Sequence, residues 1–283
     1  MKPFTRLTFR LFFWVALLIF PAFLLPSCRQ KSQDTYVSSD SLYYAADTAA
    51  QASVYFADPL NILLQAAIQS GFFTQTTGPE PFMNCGTLRF QPDSTFYPKT
   101  ITLDFGKNCS GTDGRIRSGK IVALLSGPFA SIGDSIRIIL DSFYIGNIRM
   151  TDTESVYNIS SSDTLDLLIR VTGGSMLFSG KQSITYSDSL VATELPSNSS
   201  LPPLALSFSI TGSATMGLSS GQPLEINVLQ GLIWDMACKY FTSGNFTLQD
   251  GNRSAVVDFG TGSCSGLAQV TINKQNLQII LPQ

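Results

Sequence analysis

Thr100-Ile-Thr-Leu-Asp-Phe-Gly-Lys-Asn-Cys109-Ser-Gly-Thr-Asp-Gly-Arg-Ile-Arg-Ser-Gly-Lys-Ile121 is the stretch on which the fold turns. Ile101, Leu103 and Phe105 alternate with polar neighbours, the period of a strand that buries one face, and Gly111-Thr-Asp-Gly114 then supplies turn residues. The alternation returns at Ile136/Ile138/Leu140, Leu165/Leu167/Ile169/Val171, Leu206/Phe208/Ile210 and Leu277/Ile279/Leu281. Ser131-Ile-Gly-Asp134, Gly173-Gly174, Ser219-Ser-Gly221 and Asp250-Gly251-Asn252 punctuate these runs. From residue 86 onward the pattern spells about a dozen antiparallel strands in a meander. No strand is followed by a helix of crossover length, which excludes a parallel sheet. The fold class is therefore mainly β, and the period alone admits a curled sheet, an open barrel or a sandwich. Leu195-Pro-Ser-Asn-Ser-Ser-Leu-Pro-Pro203 is the clearest internal loop and a candidate boundary between two halves.

Ahead of the strands, residues 40–73 form a helical segment. The text from Leu42 to Ser70 is rich in Ala, Gln and Leu, Ser39 or Asp40 is placed to cap it, and Gly71 ends it. Asp58-Pro59 is expected to break or restart the helix, giving one or two amphipathic helices with their apolar face on the sheet. Residues 74–283 are then the β domain. Residues 28–39 are polar and unpatterned and suit a flexible tether.

Five cysteines are present, Cys28, Cys85, Cys109, Cys238 and Cys264, and the last four fall into two similar frames. Cys85-Gly-Thr-Leu-Arg-Phe leads to Leu103-Asp-Phe-Gly-Lys-Asn-Cys109-Ser-Gly, with 23 residues between the cysteines. Cys238-Lys-Tyr-Phe-Thr-Ser-Gly leads to Val257-Asp-Phe-Gly-Thr-Gly-Ser-Cys264-Ser-Gly, with 25 between. An internal duplication accounts for both, units 85–127 and 238–273, each closed by its own disulfide: Cys85–Cys109 and Cys238–Cys264. Loops of this size each contribute roughly 3 to 4 kcal/mol in the chain-entropy model. A zinc site fits worse, because there is no C-x-x-C spacing and no His in the chain.

The N-terminus has a basic start (Lys2, Arg6, Arg10), an unbroken apolar run from Leu11 to Leu25 and Ser27 before Cys28. That run is shorter than the roughly 20 apolar residues a membrane-spanning helix needs, and it suits a signal-peptide core over residues 1–27. Leu25-Pro-Ser-Cys28 resembles the lipobox of bacterial lipoproteins, with Pro26 where a small or hydroxyl residue is usual. The resemblance implies acylation of Cys28, and acyl chains contribute about 0.8 kcal/mol per buried CH₂ to anchoring. Cleavage before Cys28 takes 27 residues from 283 and leaves 256; it also removes three basic residues, taking the formal charge from −2 to −5. No basic surplus remains for phosphates, which argues against nucleic-acid binding. At 44% hydrophobic and 13% charged, the chain is too apolar to be disordered.

Without His, Ser-His-Asp and Cys-His nucleophile systems are excluded. Asp104-Phe-Gly106 and Asp258-Phe-Gly260 spell the kinase metal-binding triplet, but no phosphate loop or catalytic loop accompanies them. The simpler account is a strand-end turn: Asp as turn residue, Phe in the core, Gly at the bend. Asp113-Gly114 with Asp104 lacks the alternating acidic pattern of a Ca²⁺ loop. Glu154, Glu194, Glu225 and Asp235 are candidate carboxylates for glycoside hydrolysis, with no spacing that sets any two apart. Ser118-Gly-Lys120 and Ser179-Gly-Lys181 are strand-turn text rather than a serine–lysine catalytic pair. Trp234, Tyr240 and Phe241 are expected to pack the second disulfide unit.

With the lipobox and the Asp-Phe-Gly…Cys-Ser-Gly units in view, the chain resembles a group of uncharacterised lipoproteins of the Bacteroidota, over most of residues 85–160 and 238–281. The group carries no activity to transfer. Exported proteins of that phylum are O-glycosylated at Asp-Ser/Thr followed by an apolar residue or Thr, which implies candidate sites at Ser41, Thr48, Ser94, Ser135, Thr164 and Ser189. Arg29 after the lipid cysteine is similar to outer-membrane sorting, with the leaflet open. The resulting expectation is a non-catalytic envelope lipoprotein, a structural or binding module with no cofactor or metal, whose partners are the membrane through its anchor and an envelope protein, glycan or lipid. A carrier of a lipid or other apolar ligand inside a curled sheet is the alternative, and a carbohydrate-processing enzyme the third.

Overall fold

The computed structural model describes residues 33–69, 85–92, 96–129, 131–161, 164–180, 182–196, 207–219 and 222–282, with the helix's side chains described over 41–67. A helix, α1 (Gln33–Gln69), precedes thirteen strands: β1 (Thr87–Gln91), β2 (Lys99–Ser110), β3 (Ile116–Leu125), β4 (Ser135–Ile145), β5 (Ile148–Asn158), β6 (Asp166–Leu177), β7 (Ser183–Glu194), β8 (Ser207–Leu218), β9 (Leu224–Asp235), β10 (Phe241–Asp250), β11 (Arg253–Thr261), β12 (Leu267–Ile272) and β13 (Gln275–Ile280). Every strand pairs antiparallel with its sequence neighbours, giving one unclosed meander with β1 and β13 at its edges. The expected mainly β, antiparallel fold with an N-terminal helix is what the chain adopts.

The sheet curls because its strands bend partway along. Register shifts interrupt the ladders at Asp104/Gly106, Ser118/Lys120, Ile139/Phe143, Thr151/Thr153, Ile169/Gly174, Ile210/Ser213 and Ser243/Asn245. Each extra residue kinks its strand and deepens the local twist, so the row of bulges coils the sheet. Gly119, at the β3 bulge, has φ +84°, and a Cβ there would stand 2.0 Å from the Ser142 carbonyl oxygen. Only glycine fits.

Inside the curl lies α1. The sequence pattern calls for a helix with one apolar face, yet Leu42, Ala45, Ala46, Ala50, Val54, Tyr55, Asp58, Ile62 and Ala66 are all buried, and these positions occupy every side of a 3.6-residue turn. A helix buried all round is the inverse of an amphipathic surface helix. The abundance of alanine lets the surrounding strands approach. The helix also runs through Pro59 rather than breaking there, and it begins at Gln33, within the stretch expected to be a flexible tether. Packing from the curled sheet outweighs the roughly 3 kcal/mol a mid-helix proline costs.

Two further expectations are revised. Gly173-Gly174 is not a turn but the β6 bulge, where absence of a side chain admits the helix: a Cβ on Gly174 would lie 2.8 Å from the Phe56 ring. The Leu195–Pro203 loop is no domain boundary, since β7 and β8 on its two sides pair continuously from Ile184↔Leu218 to Glu194↔Phe208.

The two units with matching text are equivalent hairpins. β1 pairs with β2 and β10 with β11, and the disulfides Cys85–Cys109 and Cys238–Cys264 close their open ends with Cα separations of 5.5 and 5.8 Å. In both Asp-Phe-Gly triplets the Asp carboxylate accepts a hydrogen bond from the Gly N–H, Gly106 to Asp104 at 2.9 Å and Gly260 to Asp258 at 2.7 Å. Phe105 and Phe259 are buried. Phe in the core and Gly at a bend are as expected, but Asp104-Phe-Gly106 lies inside β2 at its bulge rather than at a strand end, and only Asp258-Phe-Gly260 lies near the end of its strand, β11.

Candidate functional site

Two polar constellations are built between α1 and the sheet. The first is a clasp at Asp58. Arg115 and Arg117 flank the exposed Ile116 at the start of β3, so the strand's period turns both guanidiniums inward and the isoleucine outward. Asp58 accepts from Arg115 Nη1 at 2.5 Å and from Arg117 Nε and Nη2 at 2.9 and 2.5 Å. Arg117 also donates to both oxygens of Asp113, at 3.1 and 2.7 Å. The second unit joins through Lys239, next to Cys238: Arg115 Nη2 donates to its carbonyl at 3.1 Å, and its ammonium donates to the Asp113 carbonyl at 2.7 Å. Arg115 further lies between the rings of Tyr55 on α1 and Tyr240, 5.8 and 5.9 Å from their centroids.

Burial alone would raise the pKa of Asp58, but the two guanidiniums outweigh it and hold the carboxyl at about 2. Burial pushes Arg117 the other way, and its two carboxylates reverse that and raise it. With the Nε of Arg117 and both hydrogens of its Nη2 committed to Asp58 and Asp113, the clasp acts as a structural tie between α1, the first unit and the second.

The second constellation is acidic. Along β5 the inward phase is Met150, Asp152, Glu154, Val156 and Asn158, which places two carboxyls where the pattern asks for apolar side chains. On β7 the inward phase brings Tyr186 and Asp188. Glu154 and Asp188 line a cavity of about 40 Å³ under Ser53, Phe56 and Leu60 of α1. Asp188 accepts from the Val171 N–H at 2.7 Å, and the Tyr186 hydroxyl is in hydrogen-bond contact with Asp188 and Ser53. The Tyr186 ring stacks on Phe56 at 4.5 Å and 7°. Among the described residues, both oxygens of Asp152 and Oε2 of Glu154 have no hydrogen-bond partner. Burial, reinforced by mutual repulsion with Asp188, pushes Asp152 up to about 7 and Glu154 well above the usual carboxylate range. Burial also pushes Asp188 up to about 7.

No family model, curated protein or solved structure matches this chain. Its function has to be argued from the geometry.

The structure disperses the carboxylates considered for glycoside hydrolysis. Glu194 accepts from the Leu165 N–H, Asp235 caps a turn at Ala237, Glu225 is exposed on β9, and Glu154 alone faces the interior. Asp104 pairs with Lys120 and Asp113 with Arg117, and no group of acids among the described residues is arranged to hold a metal. Ser118 lies in β3, where its hydroxyl accepts from the Asn108 N–H. Lys181 lies outside the described residues. Trp234, Tyr240 and Phe241 are buried; Phe241 meets Phe259 edge-on at 5.3 Å, packing the second unit as expected, whereas the Trp234 ring meets Phe208 on β8 at 5.6 Å.

Of the candidate glycosylation sites, Ser41, Thr164 and Ser189 are exposed and Ser135 is half-buried at the start of β4. Thr48 is a correction: it is buried in α1, its hydroxyl donating to the Tyr44 carbonyl, and a glycan there would displace the core. Ser94 and Cys28 lie outside the described residues. No described helix is long and apolar enough to cross a membrane. Asp152, Arg115 and Arg117 were not singled out by sequence reasoning, although the signal was there: in each case a charged side chain sits in the inward phase of a strand.

Proposed function

We propose that the chain is a lipid-anchored envelope lipoprotein whose β domain acts, without catalysis, as a structural or binding module. The observation that carries this reading is the cysteine pairing. Four of the five cysteines close two matching hairpins, which leaves Cys28, at the end of the N-terminal apolar run, as the thiol for acylation. Disulfides persist in oxidising compartments, the destination such a run implies.

The interior favours a module over a carrier. Ligand pockets for drug-sized molecules take roughly 300 to 1,000 Å³. Here α1 fills the curl: the cavity beneath it is about 40 Å³, room for a few waters, and the one beside the Asp58 clasp is about 140 Å³, both below that range. A glycosidase would need two carboxyls on either side of an open cleft, whereas Glu154 and Asp188 are closed away behind the helix. Binding therefore belongs to the outer surface and loops.

Metabolic labelling with an alkynyl fatty acid in a Bacteroidota host tests the anchor. The wild type takes up label and fractionates with membranes, and Cys28→Ala does neither. An unlabelled wild type overturns the anchor, and turnover of a glycan or peptide by the purified domain overturns the non-catalytic role.

A further inference from the structure

Asp152, Glu154 and Asp188 have no counterpart in a module held together only by apolar packing. Asp152 is 8% exposed and Glu154 1%, and among the described residues three of their four carboxyl oxygens have no donor. A buried polar atom without a partner costs free energy, and a buried charge without a partner costs far more. From α1, Ser53, Phe56 and Leu60 face the cavity; β6 contributes Ile169 and Val171, β8 Ser213 and Ala214, and β7 the phenol of Tyr186. None of these is a cation. Arg170 on β6, opposite Ser155, is exposed in the outward phase, and Arg115 and Arg117 are paired with Asp58 and Asp113.

We propose that this trio is a proton-operated catch for α1: with its carboxyls neutral the helix seats in the curled sheet, and with them ionised the repelling charges draw water into the cavity and release the helix's middle turns. The geometry supplies each part. The acids sit on two strands, β5 and β7, and Glu154 and Asp188 line the cavity beneath Ser53, Phe56 and Leu60. The cavity already gives water a foothold at Glu154 and Asp188. Across it, the Ser53 and Phe56 contacts with Tyr186 are what ionisation would break.

The sign follows from linkage. Asp152 and Asp188 are raised to about 7, so the native state keeps protons that an opened state sheds near the ordinary carboxylate value of about 4. The trio's contribution to seating the helix is therefore fully present below about pH 4 and is lost as pH rises through 7. This inference does not depend on the anchor and fails separately from it.

Native hydrogen exchange of the disulfide-intact protein, corrected for intrinsic pH dependence, reads the opening of peptides around Ser53–Leu60. Between about pH 5 and 7 the opening constant is expected to rise about tenfold per pH unit for each carboxyl that ionises, then level off. In Asp152→Asn/Glu154→Gln/Asp188→Asn the profile is expected to be flat. If that triple variant does not fold, Glu154→Gln alone must lower the slope. A wild-type profile without slope, or a slope retained in the variants, overturns the catch. A protection that a chelator abolishes at high pH also overturns it, because a bound metal and not a proton would then hold the trio.

Discussion

Removing the carboxylate of Asp58 tests whether the clasp holds the helix in the sheet. Asp58, Arg115 and Arg117 are 3%, 1% and 2% exposed, so no partner can turn to solvent when the others change. Breaking a buried pair by deleting one member costs about 3 to 5 kcal/mol, most of it the penalty of an uncompensated charge. Here the loss falls unequally. Arg117 keeps Asp113, while Arg115 keeps only the Lys239 carbonyl and two aromatic faces. Asp58→Ala is therefore expected to cost about 3 to 5 kcal/mol. Asp58→Asn preserves shape and loses charge, as protonation does. The native pKa of about 2 against an ordinary value near 4 sets that loss at about 2 to 3 kcal/mol. Because the native pKa is depressed, this stabilisation is present above about pH 4 and is lost as pH falls through 2. Urea titration monitored by far-UV circular dichroism reads both variants as a lower midpoint at unchanged slope. Replacing the whole cluster by apolar residues, Asp58→Leu/Arg115→Met/Arg117→Met, is expected to recover most of the Asp58→Ala loss. A cost below about 1 kcal/mol for Asp58→Ala would refute the reasoning, since that is the range of exposed pairs.

Gly174→Ala drives a Cβ to 2.8 Å from Phe56 and from the Tyr186 carbonyl, an overpacking worth about 1 to 3 kcal/mol that Phe56→Leu relieves in part, as a double-mutant cycle in urea would read. Gly119→Ala, with φ +84° and the Ser142 carbonyl in the way, is expected to be costlier and to lower soluble yield, whereas Gly133→Ala, with nothing within 4 Å of the added atom, is expected to cost only backbone strain. Non-reducing peptide mapping is expected to return Cys85–Cys109 and Cys238–Cys264, and the Cys238→Ala/Cys264→Ala pair to lose roughly 3 to 4 kcal/mol in thermal or urea unfolding; a crossed pairing would undo the duplication.

What could be read in advance divides by the reach of the signal. Strand period and turn residues are local, so the meander, the Asp-Phe-Gly bends and the two hairpins were legible from Ile101-Thr-Leu-Asp-Phe and its echo at Val257-Asp-Phe-Gly. The cysteine frames were legible because similar text stands around both pairs. The helix misled because its periodicity is that of any alanine-rich segment. Whether Ala46 and Ala49 meet solvent or a strand depends on the sheet's closure, which no window of α1 contains. Arg115 and Arg117 share a face by the same period-two rule that found Ile101 and Leu103. Their partner stands 57 and 59 positions earlier on another element, so the rule finds the anomaly and not its resolution. Asp152 and Glu154 are the same case: acids in an inward phase announce a site and leave its purpose to the helix packed above them.

The helix also changes what counts as the domain. A boundary at residue 74 treats the strands as a self-sufficient β unit, but among the described residues the concave face of the unclosed sheet packs against α1. Leu42, Val54, Tyr55, Phe56, Leu60, Ile62, Leu63 and Leu64 are each at most 5% exposed. At about 1.5 to 3 kcal/mol per large apolar side chain, these eight contribute roughly 12 to 24 kcal/mol as an upper bound. Whole domains are stable by only about 5 to 15 kcal/mol. Removing the helix withdraws that sum and uncovers the inward residues of the strands as well. A fragment spanning residues 85–283 is therefore expected to lack fixed tertiary packing, with weak near-UV circular dichroism and no cooperative transition. Adding a peptide of residues 41–69 is expected to restore both. Cooperative unfolding by the fragment alone would mean that the sheet closes on itself, and that the helix is a guest in it.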